Sequence, residues 1–247
     1  MKLPEAERQA HREAFKAMTW PERADYIFAY YKLELVLILI AVVFLGTVAY
    51  RTITHKDPAL YVAYINVTAG EDLDAHLGDG FVEYLGLSTR KNEVYRYQGI
   101  YLTAAEESVD RQYSYASRLK LLGAIDAEQL DVVLMNQEAY DILSASGYLM
   151  ELDAVVGQTS PEVQQLLVPA LATNAVVVEG SEVAYDAEDS PEAELTIVDA
   201  TNALDVTNLG VFDQAGLSGT TYLGVIANTP RQDKVVAYLE YLASAAQ

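Results

Sequence analysis

The chain has 247 residues, a formal net charge of −20 and no cysteine. That length holds one medium domain or two small ones. The charge excludes a nucleic-acid partner, whose phosphates would be repelled. The missing cysteines exclude a disulfide framework, a thiolate nucleophile and Cys-ligated zinc. Charge is also unevenly spread: residues 1–56 carry +2 and residues 57–247 carry −22, so the two parts are built for different surroundings.

Residues 1–25 are rich in charge and compatible with helix. Thr19-Trp20-Pro21-Glu22 resembles a helix start, with Thr19 as the cap and Pro21 in the first turn. This stretch is read as a cytoplasmic juxtamembrane segment. Residues 26–50 follow as a single transmembrane anchor. Leu35 to Tyr50 carries no charge, and the run is apolar all round rather than striped as on a surface helix. Tyr26, Tyr30 and Tyr31 before the run and Tyr50 after it are placed as interfacial aromatic anchors. The run begins too deep in the chain for a cleaved signal peptide and is read as an uncleaved signal anchor. Lys16, Arg23 and Lys32 precede the span, against Arg51 and Lys56 after it. With the acidic bulk following, this points to a cytoplasmic N-terminus and a C-terminal domain outside the cell.

Residues 57–247 are expected to form the outer domain. Asp57-Pro58 closes the anchor. Strands are expected at 59–67, 94–102 and 130–135, the last buried on both faces. Between the first two, GEDLDAHLGDGFVEYLGL is helical or irregular, interrupted by its glycines. A helix is expected over 108–125, with Ser108 as cap and Tyr115, Leu119 and Leu122 on one face. A second helix follows Asn136 and ends at Gly147. A third spans 161–171, with Ser160 as cap and Pro161 in the first turn. NAVVVEG, EVAYD, AELTIVDA and TTYLGVIAN read as strands. A closing helix begins near Pro230 and places Val235, Leu239 and Leu242 on one face. The domain is therefore α/β with a mixed sheet.

Motifs for chemistry are sparse. The histidines are His11, His55 and His76, not spaced as metal ligands, and there is no HExxH, GxSxG, GxGxxG or P-loop. Asp72, Asp74 and Asp79 do not follow EF-hand spacing, and the acidic run 186–194 reads as a solvated turn. Asn66-Val67-Thr68 matches a glycosylation sequon by pattern alone. No enzyme, metal or cofactor is expected.

Two stretches carry a resemblance. LDVVLMNQEAYDILSASGYLMELD (130–153) and YLGVIANTPRQDKVVAYLEYLAS (222–244) resemble segments of extracellular solute-binding proteins of bacterial ABC importers. The resemblance implies a reduced periplasmic-binding-protein fold, and a role beside transporter subunits in capturing a small polar solute. The layout of TWPERADYIFAYYK, the anchor and HKDPALYVAYINV also resembles single-pass membrane proteins of Gram-positive bacteria. Ligands of α/β sheets lie beyond the carboxyl ends of strands. That rule makes Asn136, Gln137 and Asn228 the candidate ligand-binding residues, although turn and cap work is the more ordinary use of Asn136 and Asn228. Asn136→Ala is expected to weaken such a ligand with little loss of folding. The competing reading from another class is a non-catalytic structural or assembly partner of a membrane complex that binds no small ligand.

Overall fold

The computed structural model describes residues 18–104, 111–178, 196–215 and 217–244. They fall into two compact units, Met1–His55 and Lys56–Gln247.

In the first unit α1 spans Trp20–Tyr30 and α2 spans Lys32–Thr54. Thr19 opens α1 as expected: its N–H and its hydroxyl both donate to Glu22 Oε2, each at 2.8 Å. These bonds hold the Glu22 carboxyl below its usual range. The expected single run from residue 26 is broken at Tyr31, which separates the helices. Tyr31 and Tyr50 are exposed, and the side chains of Tyr26 and Tyr30 lie outside the described residues. The apolar helix instead extends past Tyr50, and Lys32–Thr52 is long and apolar enough to cross a membrane. Its 21 residues reach about 32 Å, matching a hydrocarbon core of ~30 Å. The hydroxyls of Thr47, Thr52 and Thr54 donate to the carbonyls of Val43, Val48 and Tyr50 at 2.7–2.9 Å. An apolar solvent would therefore meet none of these three threonine hydroxyls unbonded.

The second unit is a three-layer α/β domain. β1 is Asp57–Ile65, β2 Asn92–Ile100, β3 Val132–Asn136, β4 Leu171–Val178, β5 Thr196–Asp205 and β6 Thr221–Val225. They form one sheet in the order β2-β1-β3-β6-β5-β4. β1 pairs in parallel with β2 and β3, and the remaining pairings are antiparallel. Strand alternation divides the core. Leu60, Val62 and Tyr64 of β1, with Val132 and Leu134 of β3, face one helical layer. Ala63, Ile65, Val133 and Met135 face the other. β3 is buried on both faces, as its unbroken apolar run requires.

The first layer holds α3 (Glu71–Ala75), a π turn at His76–Gly80, and α4 (Phe81–Tyr84). The second holds α5 (Arg111–Asp126) and α6 (Gln137–Ala145). Next in the chain come α7 (Asp153–Val156), α8 (Pro161–Leu167), α9 (Gly210–Gln214) and α10 (Gln232–Ser244). These pack on the first layer's side through Val155, Val156, Leu167, Phe212, Val235, Tyr238, Leu239 and Leu242. The buried face of α10 is thus the expected one.

Several expectations are corrected. α5 does not bury Tyr115 and Leu119, which are 64% and 52% exposed; it buries Leu121, Ala124 and Ile125. The rotation has a polar cause. Ser114 and Ser117 turn to the sheet side and accept from the N–H groups of Thr103 and Tyr101, each at 3.2 Å. Those amides lie beyond β2 and need a partner. The expected Ser108 cap lies outside the described residues, as do EVAYD and the run 186–194. The helix expected to reach Leu171 stops at Leu167, passes through a 3-10 turn at Val168–Ala170, and Leu171 begins β4. Pro169 has no N–H with which to continue an α ladder. Ser160 does precede α8, but its hydroxyl makes no capping bond.

Candidate functional site

The crossover after β1 packs on one face of the sheet, and α5, which follows β2, packs on the other. The chain therefore diverges between β1 and β3, and their carboxyl ends form the crevice where open α/β sheets bind ligands.

Asn66 and Asn136 stand at these two ends. Asn66 adopts a left-handed backbone, φ 57°, a conformation Asn tolerates better than most residues. Its Nδ2 donates to Leu102 O at 2.6 Å and to Asn136 Oδ1 at 3.2 Å, and its Oδ1 accepts from Leu102 N at 2.8 Å. Asn136 Oδ1 also caps α6 by accepting from Ala139 N at 3.0 Å. Glu138, in the first turn of α6, accepts from the Thr103 hydroxyl at 2.7 Å and from Ala104 N at 3.0 Å. The sequon asparagine is thus committed to joining the ends of three strands.

Gln137 lies beside Asn136 but points along the rim. Its Nε2 donates to Asp141 at 2.8 Å and its Oε1 accepts from the Tyr222 hydroxyl at 2.6 Å. The Tyr222 ring packs at a tilt against Tyr140, with ring centroids 4.6 Å apart. Burial, then the nearby Asp205 and Asp141 carboxylates, push the Tyr222 hydroxyl above its usual pKa. Asn228 is not part of this crevice. β6 is antiparallel to β3, so its carboxyl end is the opposite end of the sheet. There Asn228 Nδ2 donates to Ile125 O at 2.8 Å, tying down the end of α5. The structure brings Asn136 and Gln137 together and sets Asn228 apart. Nor is Asn136→Ala silent for folding, because it removes the α6 cap and the Asn66 contact.

Two further constellations escaped sequence reasoning. At the amino end of β3 the Asp131 carboxylate is fully buried. It accepts from Tyr61 N at 2.8 Å, the Thr229 hydroxyl at 2.5 Å and Arg231 Nε at 2.8 Å. The Arg231 guanidinium lies 4.6 Å from the Tyr61 ring centroid and also donates to Glu128 O. Asp131 and Arg231 are 100 residues apart, so no local signal could pair them.

The second is the π turn. Carbonyls in it and just before it, at the end of α3, accept from side chains. Arg96 Nη1 donates to Asp74 O at 2.9 Å, the Tyr241 hydroxyl to His76 O at 2.9 Å and the Tyr238 hydroxyl to Leu77 O at 3.2 Å. Arg96 occupies the space over Gly78, where a Cβ would lie 1.8 Å from Nη1. The repeated glycines in HLGDG were the visible signal. His76 stacks on Tyr241 at 4.9 Å, its Nε2 is buried without a partner among the described residues, and burial lowers its pKa.

Chemically, these groups bind one another. Among the described residues no three His, Asp or Glu side chains converge as metal ligands. Most of the crevice polar groups are engaged with one another, and Asn136 Nδ2 has no acceptor among the described residues. No protein-family model, curated protein or solved structure matches this chain. The resemblance to solute-binding proteins therefore rests on the two stretches quoted above.

Proposed function

We propose that this is a single-pass membrane protein whose α/β domain serves as a non-catalytic assembly partner of a membrane complex. In this reading α2 is the anchor, the N-terminus is cytoplasmic and residues 57–247 lie outside. The observation that carries it is the state of the strand-end crevice. The amide of Asn66, the Asn136 Oδ1, the Gln137 amide and Glu138 are all spent on protein partners. A small-molecule site instead needs convergent polar groups aimed into a concave space. The domain does carry exposed apolar side chains elsewhere, including Val177, Val178, Ile197 and Val198, as a protein-docking surface does.

A second reading, capture of a polar solute beside a transporter, keeps two supports. The strand order β2-β1-β3 followed by an antiparallel strand suits the resemblance to a binding-protein lobe, and Asn136 Nδ2 remains a donor at the crevice. Thermal melting of the full chain in detergent, with sugars, amino acids, short peptides and divalent cations, separates the two. A solute at ~100 times its Kd adds about 2.7 kcal/mol. No shift with any class is the expected result, and a saturable shift with one class overturns the assembly reading. Orientation is tested by protease shaving of intact cells. Loss of residues 57–247 while a cytoplasmic control survives is the expected result.

A further inference from the structure

Strands β4 and β5 outrun the sheet. β5 pairs with β4 along almost its whole length but meets β6 only through Ala203–Asp205. Residues 173–178 and 196–201 are therefore a two-stranded ribbon. Its root is fixed: the Tyr140 hydroxyl donates to Ala172 O at 3.1 Å, the Ser144 hydroxyl to Ala175 O at 2.9 Å, and Leu152 N to Thr201 O at 2.8 Å. Farther out, Val177 lies opposite Ile197 and Val176 opposite Val198. Directly opposed residues share a face and neighbours alternate, so both faces of the ribbon are apolar. Ile197 is 67% exposed, Val178 44% and Val198 43%. A ribbon of two strands is marginal in water without a third strand or a packed face, and such edges pair readily with another chain.

Charge selects among occupants. Residues 121–230 contain 18 Asp and Glu and not one Lys, Arg or His. Among the described residues, Asp199 is exposed on the ribbon itself. A second copy would bring two such acidic regions together, and an anionic bilayer surface would repel this one.

Connectivity narrows the choice further. β5 runs parallel to β1 and β3, with Ala203, Gly224, Val133 and Ala63 in register across the sheet. The amino ends of β1 and β5, Asp57 and Thr196, therefore lie at one end of the sheet. Only His55 and Lys56 separate β1 from α2, so the ribbon leaves the domain at the end where the chain enters it from the apolar helix.

Resting on the assembly reading, we infer that this ribbon is a docking arm for an extended segment of a neighbouring membrane protein, a segment that alternates apolar with lysine or arginine residues. Its apolar side chains cover Val177 and Ile197, and its cations meet Asp199 and the net negative charge of the domain.

The test uses the full chain, one copy per phosphatidylcholine nanodisc, with its single tryptophan removed by Trp20→Phe and a reporter introduced by Ile197→Trp. The probes are three synthetic peptides of equal length, alternating Lys/Val, Lys/Ser and Glu/Val. The expected result is a saturable blue shift of indole emission with Lys/Val alone, and Val177→Ser in the same background weakens it about tenfold. Four results overturn the inference. An indole already blue-shifted in the disc without peptide puts the arm in the bilayer. A shift only in discs holding two chains makes the occupant a second copy. Equal response to Lys/Ser reduces the effect to charge. No shift with any peptide removes the arm as a docking surface. Failure of the assembly reading appears separately, as the solute-dependent thermal shift above.

Discussion

Asp131→Ala tests whether the domain is held at the amino end of β3 by one buried carboxylate. The substitution removes the acceptor for Tyr61 N–H and the Thr229 hydroxyl, and the counter-charge of Arg231. Breaking a buried pair from one side costs about 3–5 kcal/mol. The Arg231 side chain is 26% exposed and can swing partly into water, so the cost falls at the low end, about 3 kcal/mol. A domain of this size loses ~2–4 °C of Tm per kcal/mol, which gives a drop of about 6–12 °C. Asp131→Asn keeps an acceptor for the Tyr61 amide but loses the charge, and should cost about 1–2 kcal/mol. The assay is urea unfolding and thermal melting of the full chain in detergent, followed by far-UV circular dichroism. An Asp131→Ala protein melting within 2 °C of the parent (on the order of 1 kcal/mol) would refute the reasoning, because the stranded amide and guanidinium would then carry no penalty.

Gly78→Ala should destabilise by about 1–3 kcal/mol through overpacking against Arg96, and the cost should shrink in an Arg96→Ala background, read by a double-mutant cycle. Asn136→Ala should lower stability by about 1 kcal/mol as a lost helix cap; a neutral result in urea unfolding would return Asn136 to a purely ligand-directed role. Burial, then the nearby Asp74 carboxylate, raises the Tyr64 hydroxyl pKa, and burial raises that of Tyr238; burial, then Glu83, pushes Tyr241 up to about 12. The unfolded chain ionises these groups near pH ~10 while the native chain does not. Stability is therefore full below about pH 10 and falls as pH rises toward 12. Absorbance titration at alkaline pH should show a subset of tyrosines ionising only with loss of circular dichroism. His76, lowered by burial, works in the opposite direction: its contribution is present above about pH 6.5 and is lost as pH falls, and an NMR titration of its ring should report that lowered value.

Local chemistry was legible wherever it acts through neighbours in the chain. The apolar run that became α2, the buried run of β3, the Asn136 start and Gly147 end of α6, and the Val235, Leu239 and Leu242 face of α10 were all readable from spacing and capping. The face of α5 was not, because it is set by two amides beyond β2 that Ser114 and Ser117 must satisfy. Hydrophobicity alone favoured Tyr115 and Leu119. The candidate ligand residues show the same division. That Asn136 and Gln137 share a rim follows from their adjacency, but the direction of β6, which sends Asn228 to the far end, depends on which strand it joins. Pairing across 100 residues, as between Asp131 and Arg231, leaves no periodic trace. An apolar helix, an acidic α/β domain and most of its elements follow from local residue order, because helix, strand and turn preferences act over a few residues. That the strand-end polar groups close on one another and that β4 and β5 run past the sheet emerges only on folding, since both depend on which distant segments share a hydrogen-bonded edge.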